Sequence, residues 1–131
     1  MAHLATRPDQ TGTISQMSEA TGVGAPYLRK VLDKLRAAGV ISTQRGSGGG
    51  VMLDVDPNSL TLLDVVNAVD PVTRIERCPL GLPDHVRLCA LHSELDAALI
   101  QLQNVLASRT IGELLAAEQS RKPVCLFPRN Y

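Results

Sequence analysis

The apolar positions of this chain fall into helical stripes, broken once by a β-prone stretch. Ile14, Met17 and Ala20 recur at helical spacing, and Thr13-Ile14-Ser15-Gln16 has the form of a capping box. Gly22-Val23-Gly24 interrupts that helix, and Pro26 sits where a first helical turn tolerates proline. Leu28, Val31, Leu32 and Leu35 fit the i, i+3, i+4, i+7 pattern of a second helix over 26–38, which Gly39 ends. Two helices joined by a turn of three to four residues predict a helix-turn-helix. Val40-Ile41-Ser42-Thr43 is β-prone, Arg45-Gly46-Ser47-Gly48-Gly49-Gly50 cannot hold a helix, and Val51-Met52-Leu53 is short and apolar. That order predicts a hairpin wing over 41–53 with a glycine-rich tip.

Asp56-Pro57-Asn58 marks a break. Thr61-Leu62-Leu63-Asp64 then opens a further helix whose buried stripe is Leu62, Val65, Val66 and Val69. Pro71, Pro79, Gly81 and Pro83 make 70–87 a loop. From there Leu88, Leu91, Leu95, Ala98, Leu102 and Val105 alternate three and four apart, the seam of a coiled coil, widened by Leu99 and Leu106. Thr110-Ile111-Gly112-Glu113 starts a last short helix to about Ala117, and the tail from Arg121 to Tyr131 reads as extended. The expected fold is mainly α with a small β-hairpin wing, a winged helix-turn-helix followed by a long C-terminal dimerisation helix. Its segments are a DNA-binding region over 1–55, a linking helix and Cys-containing loop over 56–87, the dimerisation and final helices over 88–120, and a tail over 121–131.

Composition is compatible with this. Hydrophobic content of 44% is enough for a core, and 2% aromatic content without Trp requires an aliphatic one, which favours packed helices. No apolar run approaches the ~18 residues of a membrane span, and no charged-then-apolar signal segment opens the chain. A soluble, cytoplasmic protein is expected. The net charge of zero argues at first against a nucleic-acid partner. Its distribution reverses that reading. Residues 1–50 hold six Lys/Arg and three Asp/Glu, hence +3, and residues 51–131 hold seven and ten, hence −3. A basic half joined to an acidic half fits a DNA-binding module with a partner or sensor module behind it.

Helix 26–38 opposes its apolar stripe with Arg29, Lys30, Asp33, Lys34 and Arg36. Pro26, Tyr27, Arg29 and Lys30 lie in its first turn, the part of a recognition helix that meets base edges in the major groove. Arg29 or Lys30 could donate to guanine O6 and N7, while Tyr27 is expected to touch phosphate or pack. On an isolated helix these cations would be a solvated face. Following a capped helix and a glycine turn, and preceding a glycine-rich hairpin, they point to duplex DNA. At the wing tip Arg45, followed by Ser47, Gly48 and further small residues, puts a cation on a backbone able to enter a minor groove. A phosphate-binding loop would need a helix directly after the glycines and a Lys-Ser/Thr pair, and neither follows. Nor is an enzyme expected. A Cys89/His92 dyad could be nucleophilic, but nothing supplies an oxyanion site or a third orienting group.

Tyr27-Leu28, the run Leu35-Arg36-Ala37-Ala38-Gly39-Val40-Ile41, the wing Arg45-Gly46-Ser47-Gly48-Gly49-Gly50 and Ser59-Leu60-Thr61-Leu62-Leu63-Asp64-Val65-Val66 resemble the Rrf2 family of winged-helix regulators. The likeness continues through Cys89-Ala90-Leu91-His92 to Thr110-Ile111-Gly112-Glu113-Leu114-Leu115 and so covers nearly the whole chain. Iron–sulfur-cluster and nitric-oxide-sensing repressors belong to that family. The resemblance implies a homodimer with a long crossing helix, about Leu88–Ala107, a palindromic operator and transcriptional control. Family members begin with a helix of which only the last residues match here, at Ala2-His3-Leu4-Ala5. The resemblance thus implies that roughly one N-terminal helix is missing, through a misplaced start or a shortened chain. The alternative function is a dimeric cluster- or thiol-sensing interaction protein that has lost DNA binding with that helix.

The three cysteines are Cys78, Cys89 and Cys125, an odd count that argues against a disulfide framework. Cluster-binding relatives carry three cysteines in the loop before the dimer helix. Here Cys78 and Cys89 hold the outer positions, Pro83-Asp84-His85 replaces the middle one, and His92 falls where some relatives place a ligating histidine. The candidate ligands for a two-iron or four-iron iron–sulfur cluster are therefore Cys78, His85, Cys89 and His92. Cys89 and His92 stand one helical turn apart. Thiolates hold cluster irons and imidazole raises the potential, and zinc would accept the same set. Two other readings stay open. Cys89 could be a core thiol with His92 on the surface and Cys78 capping a loop, or Cys78 and Cys89 could form a reversible disulfide. Cys125 is read as incidental.

Overall fold

A computed structural model describes residues 1–44, 46, 50–79 and 87–119. Six helices and three strands run in the order α1 (Ala2–Ala5), β1 (Thr11–Gly12), α2 (Ile14–Thr21), α3 (Ala25–Ala37), β2 (Ile41–Gln44), β3 (Gly50–Leu53), α4 (Leu62–Val69), α5 (Ala90–Ala107) and α6 (Ile111–Gln119) among the described residues. The helix starts follow side-chain capping. Thr13 Oγ1 accepts from Gln16 N at 3.2 Å while Thr13 N donates to Gln16 Oε1 at 2.9 Å, which closes the box at the head of α2. Thr61 with Asp64, and Thr110 with Glu113, repeat that device before α4 and α6.

α3 ends in a Schellman motif. Val40 N donates to Leu35 O and Gly39 N to Arg36 O, both at 3.0 Å, with Gly39 at φ 72. That left-handed residue turns the chain from the helix straight into β2, and it places Leu35 and Val40 together in the core. β2 pairs antiparallel with β3, Ile41 opposite Leu53 and Gln44 opposite Gly50. Period-two alternation sends Val51 and Leu53 inward and Met52 outward.

The sheet has a third strand that the sequence pattern does not announce. β1 pairs antiparallel with β3, Thr11 opposite Met52 and Gly12 opposite Val51, giving the order β1-β3-β2. A Cβ on Gly50 would lie 2.8 Å from Gly12 O, so the close approach of β1 to the wing base requires glycine there.

The core is aliphatic, as the composition requires: Leu4, Met17, Leu32, Leu35, Val40, Ile41, Val51, Leu53, Leu60 and Ile111. α1 contributes the fully buried Leu4 and packs on α6 and β3. The head of α6 docks through Ile111 N to Leu60 O and Gly112 N to Pro57 O, both 2.8 Å. α4 lies between α3 and α5. Its expected stripe is half-buried rather than buried: Leu62, Val65 and Val69, with Ala68, lean on the core edge, and Val66 stays partly open. The long helix begins at Ala90, two residues later than expected, because Cys89 is its N-cap. The last helix runs to Gln119 rather than Ala117. No described helix is long and apolar enough to cross a membrane.

Candidate nucleic-acid interface and metal centre

The helix-turn-helix presents α3 by a rigid joint. Gly22 N donates to Ser18 O at 2.9 Å, and Ser18 Oγ donates to Val23 O at 2.7 Å, so the turn is tied to α2. Gly24 is the N-cap of α3, and Tyr27 N and Leu28 N both close on Gly24 O at 3.1 Å. Leu32 and Leu35 bury the inner face of α3. Its first turn is bare: Pro26, Arg29 and Lys30 are exposed, and Tyr27 is 63% exposed. The packing that buries the stripe therefore turns Tyr27, Arg29 and Lys30 to solvent. Charge and exposure coincide at the turn that a recognition helix inserts.

Lys34 differs from the other predicted contacts. It lies one turn beyond Lys30, and its Nζ donates to Val69 O at 2.6 Å, at the C-terminal end of α4. A cation there also meets the negative end of the α4 dipole. Among the wing-tip residues only Gly46 is described, with φ 113; Arg45, Ser47 and Gly48 lie outside the described residues.

At the head of α5 a second site assembles. Cys89 Sγ stands 3.2 Å from His92 Nδ1, and Cys78 Sγ stands 3.6 Å from the same nitrogen. One ligand atom from each of the three residues falls within 4.8 Å of the others, and all three are half-buried. Around one tetrahedral ion with bonds of ~2.0–2.3 Å, a sulfur and a nitrogen donor lie roughly 3.5 Å apart. Two thiols and one imidazole at these separations therefore fit a soft metal or a cluster iron. The picture of Cys89 as a core thiol with a surface His92 does not describe this arrangement, since neither side chain belongs to the core cluster and their ligand atoms converge. The fourth candidate, His85, lies outside the described residues, as does Cys125.

Cys78 reaches this site along a segment pinned to α5. Gln103 Nε2 donates to Val72 O at 2.6 Å. Asp96 accepts from Arg74 Nε at 3.1 Å, from Arg74 Nη2 and from Ile75 N at 3.0 Å. Arg74 first, then the Ile75 amide, hold the Asp96 carboxyl below its usual range against the opposing effect of desolvation. Asp96, at 7% exposure, is the buried charged residue of the described structure, and the sequence pattern does not single it out. Its signal is a lone carboxylate beside the leucine seam, which alone reads as helix surface.

The seam residues Leu91, Leu95, Ala98, Leu102 and Val105 face solvent along α5, and Leu88, just before it, is half-buried.

Residues 1–117 match the family Rrf2, described as "Iron-dependent Transcriptional regulator". The HTH-type transcriptional regulator IscR of Escherichia coli is 31% identical over 103 residues, 78% of this chain and 64% of that protein. The matched chain thus spans less than two thirds of such relatives. Among solved structures, T. potens IscR superposes with a TM-score of 0.73 at 21% identity, covering 95% of this chain and 84% of that one. CymR (YrzC), the global cysteine regulator of B. subtilis, superposes with a TM-score of 0.71 at 22% identity, over 88% and 87% of the two chains.

Proposed function

The chain belongs to the Rrf2 family, and on that premise we propose that it regulates transcription as a homodimer reading a palindromic operator, with a metal-responsive or thiol-responsive site at the head of α5. The observation that carries this reading is the bare basic first turn of α3, held out by a tied turn on one side and a Schellman-capped wing on the other. Arg29 and Lys30 there would take guanine edges or phosphates, and Tyr27 would pack on the sugar–phosphate wall. Arg45, with Ser47 and Gly48, would serve the adjacent minor groove. Lys34, engaged with α4, would set the angle of α3 more than touch DNA.

Homodimerisation rests on the exposed seam. Leucines and a valine spaced along one face of an eighteen-residue helix are an apolar stripe that a second copy would cover. A twofold pair would double the recognition helix for two half-sites.

Cys78, Cys89 and His92 would hold iron in a cluster, or zinc, with a further ligand from outside this trio. A bound cluster would supply redox and oxygen sensitivity, tuned by the imidazole ligand. The protein's own part is to bring three donors together and to keep them half-buried.

The direct test is DNA retention of the full chain against duplexes from its own upstream region, as salt is varied. The proposal expects log affinity to fall linearly with log salt, with Arg29→Ala and Lys30→Ala weakening retention. Binding unaffected by either substitution would refute the assignment of α3. Anaerobic purification followed by visible spectroscopy and iron and zinc analysis decides which metal the trio takes.

A further inference from the structure

Asp96 is a poor choice for mere packing. Burying a carboxylate costs free energy unless donors satisfy it, and here three donors converge on it from one segment, Arg74–Ile75. That segment leads to Cys78 three residues later. Its anchors on α5 are Gln103 for Val72, Asp96 for Arg74 and Ile75, and His92 for Cys78. Positions 92, 96 and 103 share one helical face. From 92 to 103 the helix rises ~16 Å, and six extended residue steps span at most ~20–22 Å. The strap from Val72 to Cys78 therefore runs antiparallel to the helix, tied to it at both ends and in its middle. Where its middle is fixed decides where the Cys78 sulfur stands.

We propose that Asp96 is a positioning residue for Cys78: by clamping Arg74 and the Ile75 amide it sets the Cys78 thiol against the Cys89–His92 pair, and thereby the geometry of the metal- or disulfide-forming site. This rests on the reading of that trio as a site. Asp96 stands one helical turn from His92, and its printed partners, Arg74 and the Ile75 amide, belong to the strap, through which it acts on Cys78. The exposed half of Arg74 and the buried carboxylate make a bidentate pair, the arrangement that fixes orientation best.

Co2+ serves as the probe, with the full chain in a Cys125→Ser background. Asp96→Asn keeps the side-chain shape and removes the charge. It is expected to weaken Co2+ binding about tenfold or more, and to reduce the thiolate-to-cobalt absorption to the level of Cys78→Ser. In a Cys78→Ser background the same substitution should change Co2+ affinity by less than about twofold, because its target is gone. An equal loss in both backgrounds, or none in the first, would overturn the proposal.

A metal-free measurement separates this claim from the metal reading. In a glutathione buffer two protein thiols and one glutathione disulfide exchange to one protein disulfide and two glutathione thiols. The equilibrium reports the effective concentration of Cys78 toward Cys89, which Asp96→Asn should lower about tenfold. If the parent binds no Co2+ but this drop is found, the metal reading fails and the positioning role stands. If the effective concentration is unchanged, the positioning role fails. Should Asp96→Asn not fold, Arg74→Gln at the exposed end of the clamp is read by the same two measurements, with a smaller change in the same direction.

Discussion

Leu95 stands in the middle of the exposed face of α5 and is 47% exposed, between Leu91 at 65% and Leu102 at 45%. Removing a leucine side chain wholly from water is worth about 1.5–3 kcal/mol. The exposed half of Leu95 is then worth about 1 kcal/mol when a partner covers it. A twofold interface contains the residue twice, so Leu95→Ala should cost the dimer about 2 kcal/mol. That is roughly a 30-fold rise in the dimer dissociation constant. The half of Leu95 already packed within the chain is lost from monomer and dimer alike and cancels. Sedimentation equilibrium over a dilution series reads the constant directly, and circular dichroism confirms that helix content is retained. Operator affinity should fall at protein concentrations where the variant is monomeric and recover at higher ones. The reasoning fails if the parent is monomeric throughout, or if Leu95→Ala leaves the constant within twofold of a measurable parental value.

Three further outcomes are expected. Lys30→Ala should reduce the slope of log affinity against log salt by about one unit per half-site if its ammonium meets phosphate, a change read by fluorescence anisotropy on a fixed duplex. Gly112→Ala should lower stability by about 1–3 kcal/mol in denaturant titration, since an added Cβ would collide with the Asn58 side chain; Asn58→Ala in the same chain should restore only part of the loss, because the Cβ also stands 3.2 Å from Asn58 Cα. The Asp96 carboxyl, held low by Arg74, and the Asp64 carboxyl, held low by Thr61, should make the fold acid-sensitive. A carboxylate whose folded value is depressed stabilises the fold above the ordinary value of 3.8 and loses that contribution as pH falls through and below it. Thermal melts should therefore flatten with pH in that acid range for Thr61→Ala, relative to the parent.

The elements that could be read in the sequence are those whose causes are local. Thr13 with Gln16, Thr61 with Asp64, and Thr110 with Glu113 announce their helices within four residues, and Gly39 announces the exit of α3. β1 could not be read, because Thr11 and Gly12 are a strand only by virtue of Met52 and Val51 forty residues away. The convergence of Cys78 on Cys89 and His92 was half legible. The Cys89–His92 spacing is one helical turn, but the arrival of Cys78 depends on a strap whose anchor, Asp96, carries no mark in the pattern. Lys34 shows the converse. Its sequence context groups it with Arg29 and Lys30, and only the packing of α4 against α3 gives its ammonium a carbonyl partner.

The central claim is that a solvent-facing cationic turn of α3, repeated by a second copy, reads a symmetric duplex site. Selection of bound duplexes from a random-sequence pool tests it without presupposing any operator sequence. The account predicts enrichment of an inverted repeat whose half-site centres are separated by about one helical turn of DNA or a multiple of it, roughly 10 base pairs or more, with Arg29→Ala relaxing the preference inside each half. A pool that shows no enrichment, or one whose enriched site is single, unrepeated and indifferent to Arg29 and Lys30, would contradict it.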